Sequence, residues 1–230
     1  MEGDQGMKLV EYPDREMLAI DLANLLAGEL NQALMTGETA SFAVPGGTTP
    51  APIFDALCAA DLPWERVHVM PTDERWVPED DARSNARLIR DHLLVERAAR
   101  AEFISFFDGS PRPEEAAEPV GRKVAAELPL SIVLLGMGQD MHTASLFPDD
   151  PRLAEALDPD APPVLAVYPP SQPEPRLTLT GPVLTGAMSV HVVITGEAKR
   201  RAIEEAERIG DPMRAPVALV LDDATVHWAE

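Results

Sequence analysis

Asp140 and His142 stand two residues apart, just after Gly136-Met137-Gly138 and before Thr143-Ala144-Ser145-Leu146-Phe147-Pro148. Imidazole is the side chain most easily poised for proton transfer near neutral pH, and Asp140 is close enough in sequence to orient it. The two glycines let the main chain approach a ligand closely. The plainer reading of His142 is a hydrogen-bonded turn histidine. His68, His191 and His227 lie within strand patterns and read as packing residues, and His92 reads as a helix-surface residue.

Three other segments carry groups suited to an anionic, hydroxylated ligand. Pro45-Gly46-Gly47-Thr48-Thr49-Pro50 offers Gly46, Gly47 and Thr48 for phosphate or sugar oxygens. Its plainer reading is a tight turn with Thr49 as an N-cap, and its spacing is not that of a nucleotide P-loop. In Thr72-Asp73-Glu74-Arg75-Trp76-Val77-Pro78 the charged run could hold a sugar's hydroxyls and its anion, or form a solvated loop. Lys199 falls in the first turn of a helix after Gly196, where the helix dipole disfavours a cation unless an anion binds there. Lysine is rare, with only Lys8, Lys123 and Lys199 against sixteen arginines, which weights Lys199 toward function. Arg176 is a further candidate cation, with a surface role equally compatible with its spacing.

These residues need strands and helices to bring them together. Helical spacing runs over 14–35, and 50–59 opens with proline, a favoured first position. Further helices are expected over 84–94, with Ser84 as N-cap, over 114–127 and over 197–208. Strands are expected over 39–44, 66–70, 103–106, 130–135, 164–167, 177–180, 189–195 and 225–228. The continuous apolar run 130–135 predicts burial on both faces. Asp73 to Pro78 is expected to be irregular, and 108–119 and 158–175 read as loops, the first with a helix opening near Pro113. Alternating strands and helices imply an α/β fold with a mainly parallel sheet over one domain, 1–230. In such folds ligands sit beyond the carboxyl ends of the strands, where the loops after Val44, Met70, Leu135 and Thr195 lie.

Composition narrows the function classes. Of 230 residues, 45% are hydrophobic and 25% charged, which excludes disorder or coiled coil over the whole chain. No apolar run approaches the ~18 residues that a membrane span needs, and the polar N-terminal stretch 1–12 shows no signal peptide. A single cysteine, Cys58, cannot form an internal disulfide. A cytoplasmic setting with no membrane association is expected. The net charge of −20 argues against nucleic-acid binding and requires local cations for an anionic substrate.

Taken together the segments resemble the 6-phosphogluconolactonase family. The matching motifs are Gly46-Gly47-Thr48-Thr49-Pro50, Asp73-Glu74-Arg75-Trp76-Val77-Pro78 with Ser84-Asn85, Gly136-Met137-Gly138-Gln139-Asp140 leading to His142-Thr143-Ala144-Ser145-Leu146-Phe147-Pro148, Arg176-Leu177-Thr178-Leu179-Thr180, and Gly196 with Lys199. They occur in the family's order and span nearly the whole chain. The resemblance implies a Rossmann-like, mainly parallel sheet with helices on both faces, the fold shared with glucosamine-6-phosphate deaminase and ribose-5-phosphate isomerase. It implies hydrolysis of 6-phospho-D-glucono-1,5-lactone to 6-phosphogluconate in the oxidative pentose phosphate pathway, without metal or organic cofactor. His142 would be the general base and Asp140 its orienting partner. Arg75 and Lys199 would be phosphate-site residues, with Arg176 a third. The expected partner is the phosphorylated sugar lactone, and the expected state a monomer or small homo-oligomer. Two positions depart from the family: Met141 replaces the usual glycine before the histidine, and Pro45 replaces a common serine. The alternatives are a deaminase or aldose–ketose isomerase on the same fold, or a sugar-phosphate-sensing module. Deaminases carry an acid five residues after the histidine, where this chain has Phe147.

Overall fold

The computed structural model describes residues 7–230; residues 1–6, half of the N-terminal stretch read above as lacking a signal peptide, lie outside the described residues. The chain runs β1 (Lys8–Glu11), α1 (Arg15–Thr36), β2 (Ala40–Val44), α2 (Ala51–Leu57), β3 (Val67–Pro71), β4 (Asp73–Arg75), α3 (Asn85–His92) and β5 (Glu102–Phe103). It continues through α4 (Pro113–Ala126), β6 (Ile132–Leu135), α5 (Leu153–Leu157), β7 (Val164–Val167), β8 (Arg176–Leu179), α6 (Gly181–Thr185), β9 (Ser189–Thr195), α7 (Glu197–Ile209) and β10 (Thr225–Ala229). Seven strands form a parallel sheet in the order β1-β10-β9-β6-β2-β3-β5, and β4, β8 and β7 form a small antiparallel sheet. The α/β, mainly parallel architecture is the one expected. Among the described residues no helix is long and apolar enough to cross a membrane.

Side chains alternate across each central strand, so a strand buried on both faces must be apolar throughout. In β6, Ile132 and Leu134 pack with Leu22, Leu26 and Leu30 of α1, while Val133 and Leu135 pack with Val120 and Val124 of α4. β2 divides the same way: Phe42 and Val44 face α1, and Ala43 faces α4. Helices α1, α2 and α3 thus cover one face, and α4 and α7 the other. Asp14 caps α1 by accepting from the Met17 N–H at 2.8 Å. No basic residue lies in the last turn of α1, and Arg66 fills that role from outside. Its guanidinium donates to the carbonyls of Leu34, Gly37 and Glu38 at 3.0, 2.7 and 2.7 Å, satisfying acceptors a helix end leaves open.

Several boundaries differ from the sequence expectation. The acidic segment 73–75 is a buried strand, not an irregular loop. β1 pairs with β10 at the sheet edge; its charged ends, Lys8 and Glu11, hid it. α5 and α6 are five residues each, too short for a helical period to show. β5 covers only Glu102–Phe103 rather than 103–106. Helix α4 begins at Pro113, with Glu114 and Glu115 in the first turn where the dipole favours acids, so much of 108–119 is helix.

Candidate active site

The four loops leaving β2, β3, β6 and β9 open on one side of the parallel sheet, at the strands' carboxyl ends. Between them lies a cavity of ≈ 310 Å³ lined by Gly46, Gly47, Thr48, Asp73, Arg75, His142, Arg176 and Lys199. Asp140, the remaining candidate, stands against His142.

His142 Nδ1 lies 2.5 Å from Asp140 Oδ1, and the His142 main-chain N–H donates to the same oxygen at 3.2 Å. With the proton on Nδ1 the ring donates to the carboxylate, and Nε2 keeps its lone pair. Burial raises the Asp140 carboxyl, but the side-chain hydrogen bond, charge and main-chain N–H of His142 together outweigh it and hold the group below the ordinary carboxylate range. The Phe147 ring stacks on the imidazole at 4.1 Å between centroids and 19° between planes, fixing its orientation. Gly138 makes the pair sterically feasible: a Cβ there would sit 2.2 Å from His142 Nδ1 and 2.5 Å from Asp140 Oδ1. Met141, at φ +65°, shows why glycine suits the position before the histidine. A left-handed non-glycine residue costs about 1–2 kcal/mol. Here the strain is offset by the Met141 N–H donating to Gly138 O and the Val217 N–H donating to Met141 O, both at 3.0 Å. The Met141 side chain packs against the core.

The cations come from the small sheet and from α7. β4 and β8 pair antiparallel with Arg75 directly opposite Arg176, so both side chains leave the same face. Arg176 is 4% exposed, which rules out the surface reading. Glu174 keeps the like charges together. Its Oε1 lies 2.7 Å from Arg83 Nη2, 3.4 Å from Arg176 Nη2 and 3.8 Å from Arg75 Nε. The Nε atoms of Arg75 and Arg176 are buried and have no hydrogen-bond partner among the described residues. Both guanidinium groups belong to residues that line the cavity, and their positive charge suits an anion there. Lys199, half-buried at the start of α7, has its ammonium pKa lowered by burial, opposed by Asp140.

Asp73 and Glu74 serve the scaffold more than the cavity. Asp73 lines the cavity, yet its carboxylate accepts from the Thr72 hydroxyl at 2.9 Å and the Ser145 hydroxyl at 2.6 Å. Glu74 is fully buried and turned away from the cavity, contrary to the reading of the charged run as a sugar-holding loop. It accepts from the main-chain N–H of Asn85 and Ala86 at 2.8 Å and of Arg75 at 2.9 Å, pinning the start of α3 to β4. Burial pushes its carboxyl up to about 7 against the pull of those donors. Asn85, quoted in a motif but given no role from sequence, donates to the Asp73 carbonyl at 2.8 Å and accepts from Arg75 at 3.3 Å. It also lies over Gly46, where a Cβ would sit 1.8 Å from Asn85 Oδ1. Ser145 ties His142's loop to Asp73 and lies 3.4 Å from Arg176. Neither residue's contacts follow from local spacing. The N-cap expected at Thr49 is instead at Pro50, without a side-chain cap.

Residues 13–228 match the family model described as glucosamine-6-phosphate isomerases/6-phosphogluconolactonase. A 6-phosphogluconolactonase of Caulobacter vibrioides is 42% identical over 97% of this chain and 98% of its own length. One from Pseudomonas aeruginosa is 41% identical over 90% and 88%. The crystal structure of a 6-phosphogluconolactonase from Shewanella baltica superposes with a TM-score of 0.95 at 30% identity, covering 98% of this chain and 99% of that one. The chain belongs to the glucosamine-6-phosphate isomerase/6-phosphogluconolactonase family, on its lactone-hydrolysing side.

Proposed function

We propose that the chain hydrolyses 6-phospho-D-glucono-1,5-lactone to 6-phospho-D-gluconate, with His142 as general base. The observation that carries this reading is the Asp140–His142 pair beside a cavity whose lining also includes Arg75, Arg176 and Lys199. In this mechanism His142 Nε2 takes a proton from water as its oxygen attacks the lactone carbonyl. Main-chain and side-chain donors of the Gly46-Gly47-Thr48 loop face the developing oxyanion. Collapse of the tetrahedral intermediate breaks the bond from the carbonyl carbon to the ring oxygen. The imidazolium returns its proton to that oxygen, so the base is regenerated. Asp140 holds the ring tautomer and steadies the imidazolium, while Arg75, Arg176 and Lys199 hold the phosphate.

The chemistry asks for no metal or organic cofactor, and the setting we assign is cytoplasmic. Phe147 favours lactone hydrolysis over deamination, because an apolar ring stacks on His142 where deaminases place an acid. Assaying the purified chain with the phosphorylated lactone and with glucosamine 6-phosphate tests the reading. Acid release from the first above its spontaneous hydrolysis, with no ammonia from the second, is expected. Ammonia release, or binding without turnover of either, would overturn it.

A further inference from the structure

β9 and β10 bury two histidines that the proposed reaction does not use. His191 and His227 are 3% and 1% exposed and belong to one hydrogen-bonded chain. Tyr12 Oη lies 2.8 Å from His227 Nδ1, His227 Nε2 lies 3.0 Å from His191 Nδ1, and His191 Nε2 lies 2.9 Å from Glu29 Oε2. One proton assignment satisfies every link without a buried positive charge. The Tyr12 hydroxyl donates to His227, His227 Nε2–H donates to His191, and His191 Nε2–H donates to the Glu29 carboxylate. Burial, reinforced by His191, pushes the His227 imidazole down to about 3, in keeping with a neutral ring. Burial raises the Glu29 carboxyl, but the hydrogen bonds from His191 and Ser189 and the nearby imidazoles together outweigh it, so the group titrates below its ordinary range. The chain therefore ends in a fixed carboxylate supported from behind.

That carboxylate lines a second cavity, of ≈ 930 Å³, formed by one side of α1 and by Ser131 and Ser189. Ser131 precedes β6 and Ser189 begins β9, so this cavity lies at the amino ends of the strands and the active site at the carboxyl ends. The seven residues of β9 span about 23 Å between them. Gly28 sits in the middle of the 22-residue helix α1, where glycine weakens a helix relative to alanine. No packing demands it, because a Cβ there would meet nothing within 4 Å. What its absence leaves is open space beside Glu29. Leu25 and Met188, 40% and 77% exposed, give the cavity an apolar side, and Asn24 and Gln32 add amides. Among the described residues, no three His, Cys, Asp or Glu side chains converge as a metal site would require.

We propose that this cavity is a second binding site, for a small organic cation with an apolar stem. An alkylammonium or alkylguanidinium would pair its head with Glu29 and lay its stem along Leu25, Gly28 and Met188. The site shares no lining residue with the active site.

The test uses agmatine as the probe and follows amide resonances of the full-length protein at fixed ionic strength. Saturable shifts confined to α1 and the amino ends of β6 and β9 are expected, with or without 6-phosphogluconate present. Glu29→Gln keeps an oxygen for His191 to donate to but removes the charge, and should weaken binding about tenfold or more. Gly28→Leu favours the helix and places a side chain in the space beside Glu29 where the stem would lie, so a folded protein with much weakened binding is expected. Asp61→Asn, at an acid whose side chain is 92% exposed, should bind as the wild type does. No saturable shift would overturn the proposal. So would equal losses from Asp61→Asn and Glu29→Gln, which would mean diffuse attraction to an acidic protein, or undiminished binding by Gly28→Leu.

Discussion

Gly138 has no side chain because Asp140 and His142 occupy the space its Cβ would take. Gly138→Ala is therefore expected to separate that pair while the buried strand β6 stays intact. Turnover should fall by ~10²–10⁴-fold, the range over which a positioned general base contributes. Steady-state kinetics beside a far-ultraviolet spectrum checks this, and near-normal turnover would show that the pair is dispensable. Lys199 carries a different expectation. Losing a charge-assisted hydrogen bond costs about 1.5–3 kcal/mol, or roughly ten- to a hundred-fold in affinity. Lys199→Ala should raise KM for the phosphorylated lactone by that factor and leave turnover of unphosphorylated gluconolactone unchanged. Equal losses with both substrates would remove Lys199 from the phosphate site. His142, Asp140 and Lys199 were legible in the sequence because each is a reactive or rare type beside glycine at a strand end. Arg176 was legible only as a cation. It packs against Ser145 and the Phe147 ring, 5.1 Å from its guanidinium carbon, both distant in sequence and brought there by tertiary packing.

Among the elements, β4 decides where the arginines stand. It is three charged residues long, so no apolar alternation marked it as a strand. It exists because β8 pairs with it and because Glu74 accepts two main-chain hydrogens at the start of α3 and a third from Arg75 within the strand. Glu74→Gln would set an N–H₂ against those donors, so a loss of about 1–3 kcal/mol is expected. The loss should depend on pH in a defined direction. The Glu74 carboxyl titrates at about 7 in the fold against an ordinary 4.5. The folded state therefore keeps a proton that the unfolded state has released, and wild-type stability falls as pH rises from 4.5 through 7. The deficit of Glu74→Gln should be widest near pH 5 and narrow toward pH 8 in urea titrations. A deficit that widens instead would reverse the assignment. The long elements were legible because period and burial agree, as in β6 and α1. The ones missed, β1, β4, α5 and α6, are three to five residues long, and their neighbours determine them.

Across the whole molecule a charge of −20 surrounds the site proposed here to take an anion. The pocket's cations are at least partly buried and are screened less than the surface acids. Raising ionic strength from ~0.01 to ~0.15 M shortens the Debye length from about 30 to about 8 Å, which weakens the long-range repulsion. kcat/KM for the phosphorylated lactone should then rise with salt, whereas a steady fall would mean that cations steer the substrate from a distance. The acidic composition implied that cations for an anionic ligand would have to be local; Arg75, Arg176 and Lys199 do line one cavity, but composition could not show which loops would supply them. The central claim is that His142, oriented by Asp140, activates water against the lactone carbonyl. The most direct test is turnover of 6-phospho-D-glucono-1,5-lactone by His142→Ala, with spontaneous hydrolysis subtracted and 6-phosphogluconate binding measured in parallel. The account predicts a ~10²–10⁴-fold loss of kcat with product affinity retained. A folded His142→Ala protein that turns over the lactone at the wild-type rate would contradict it.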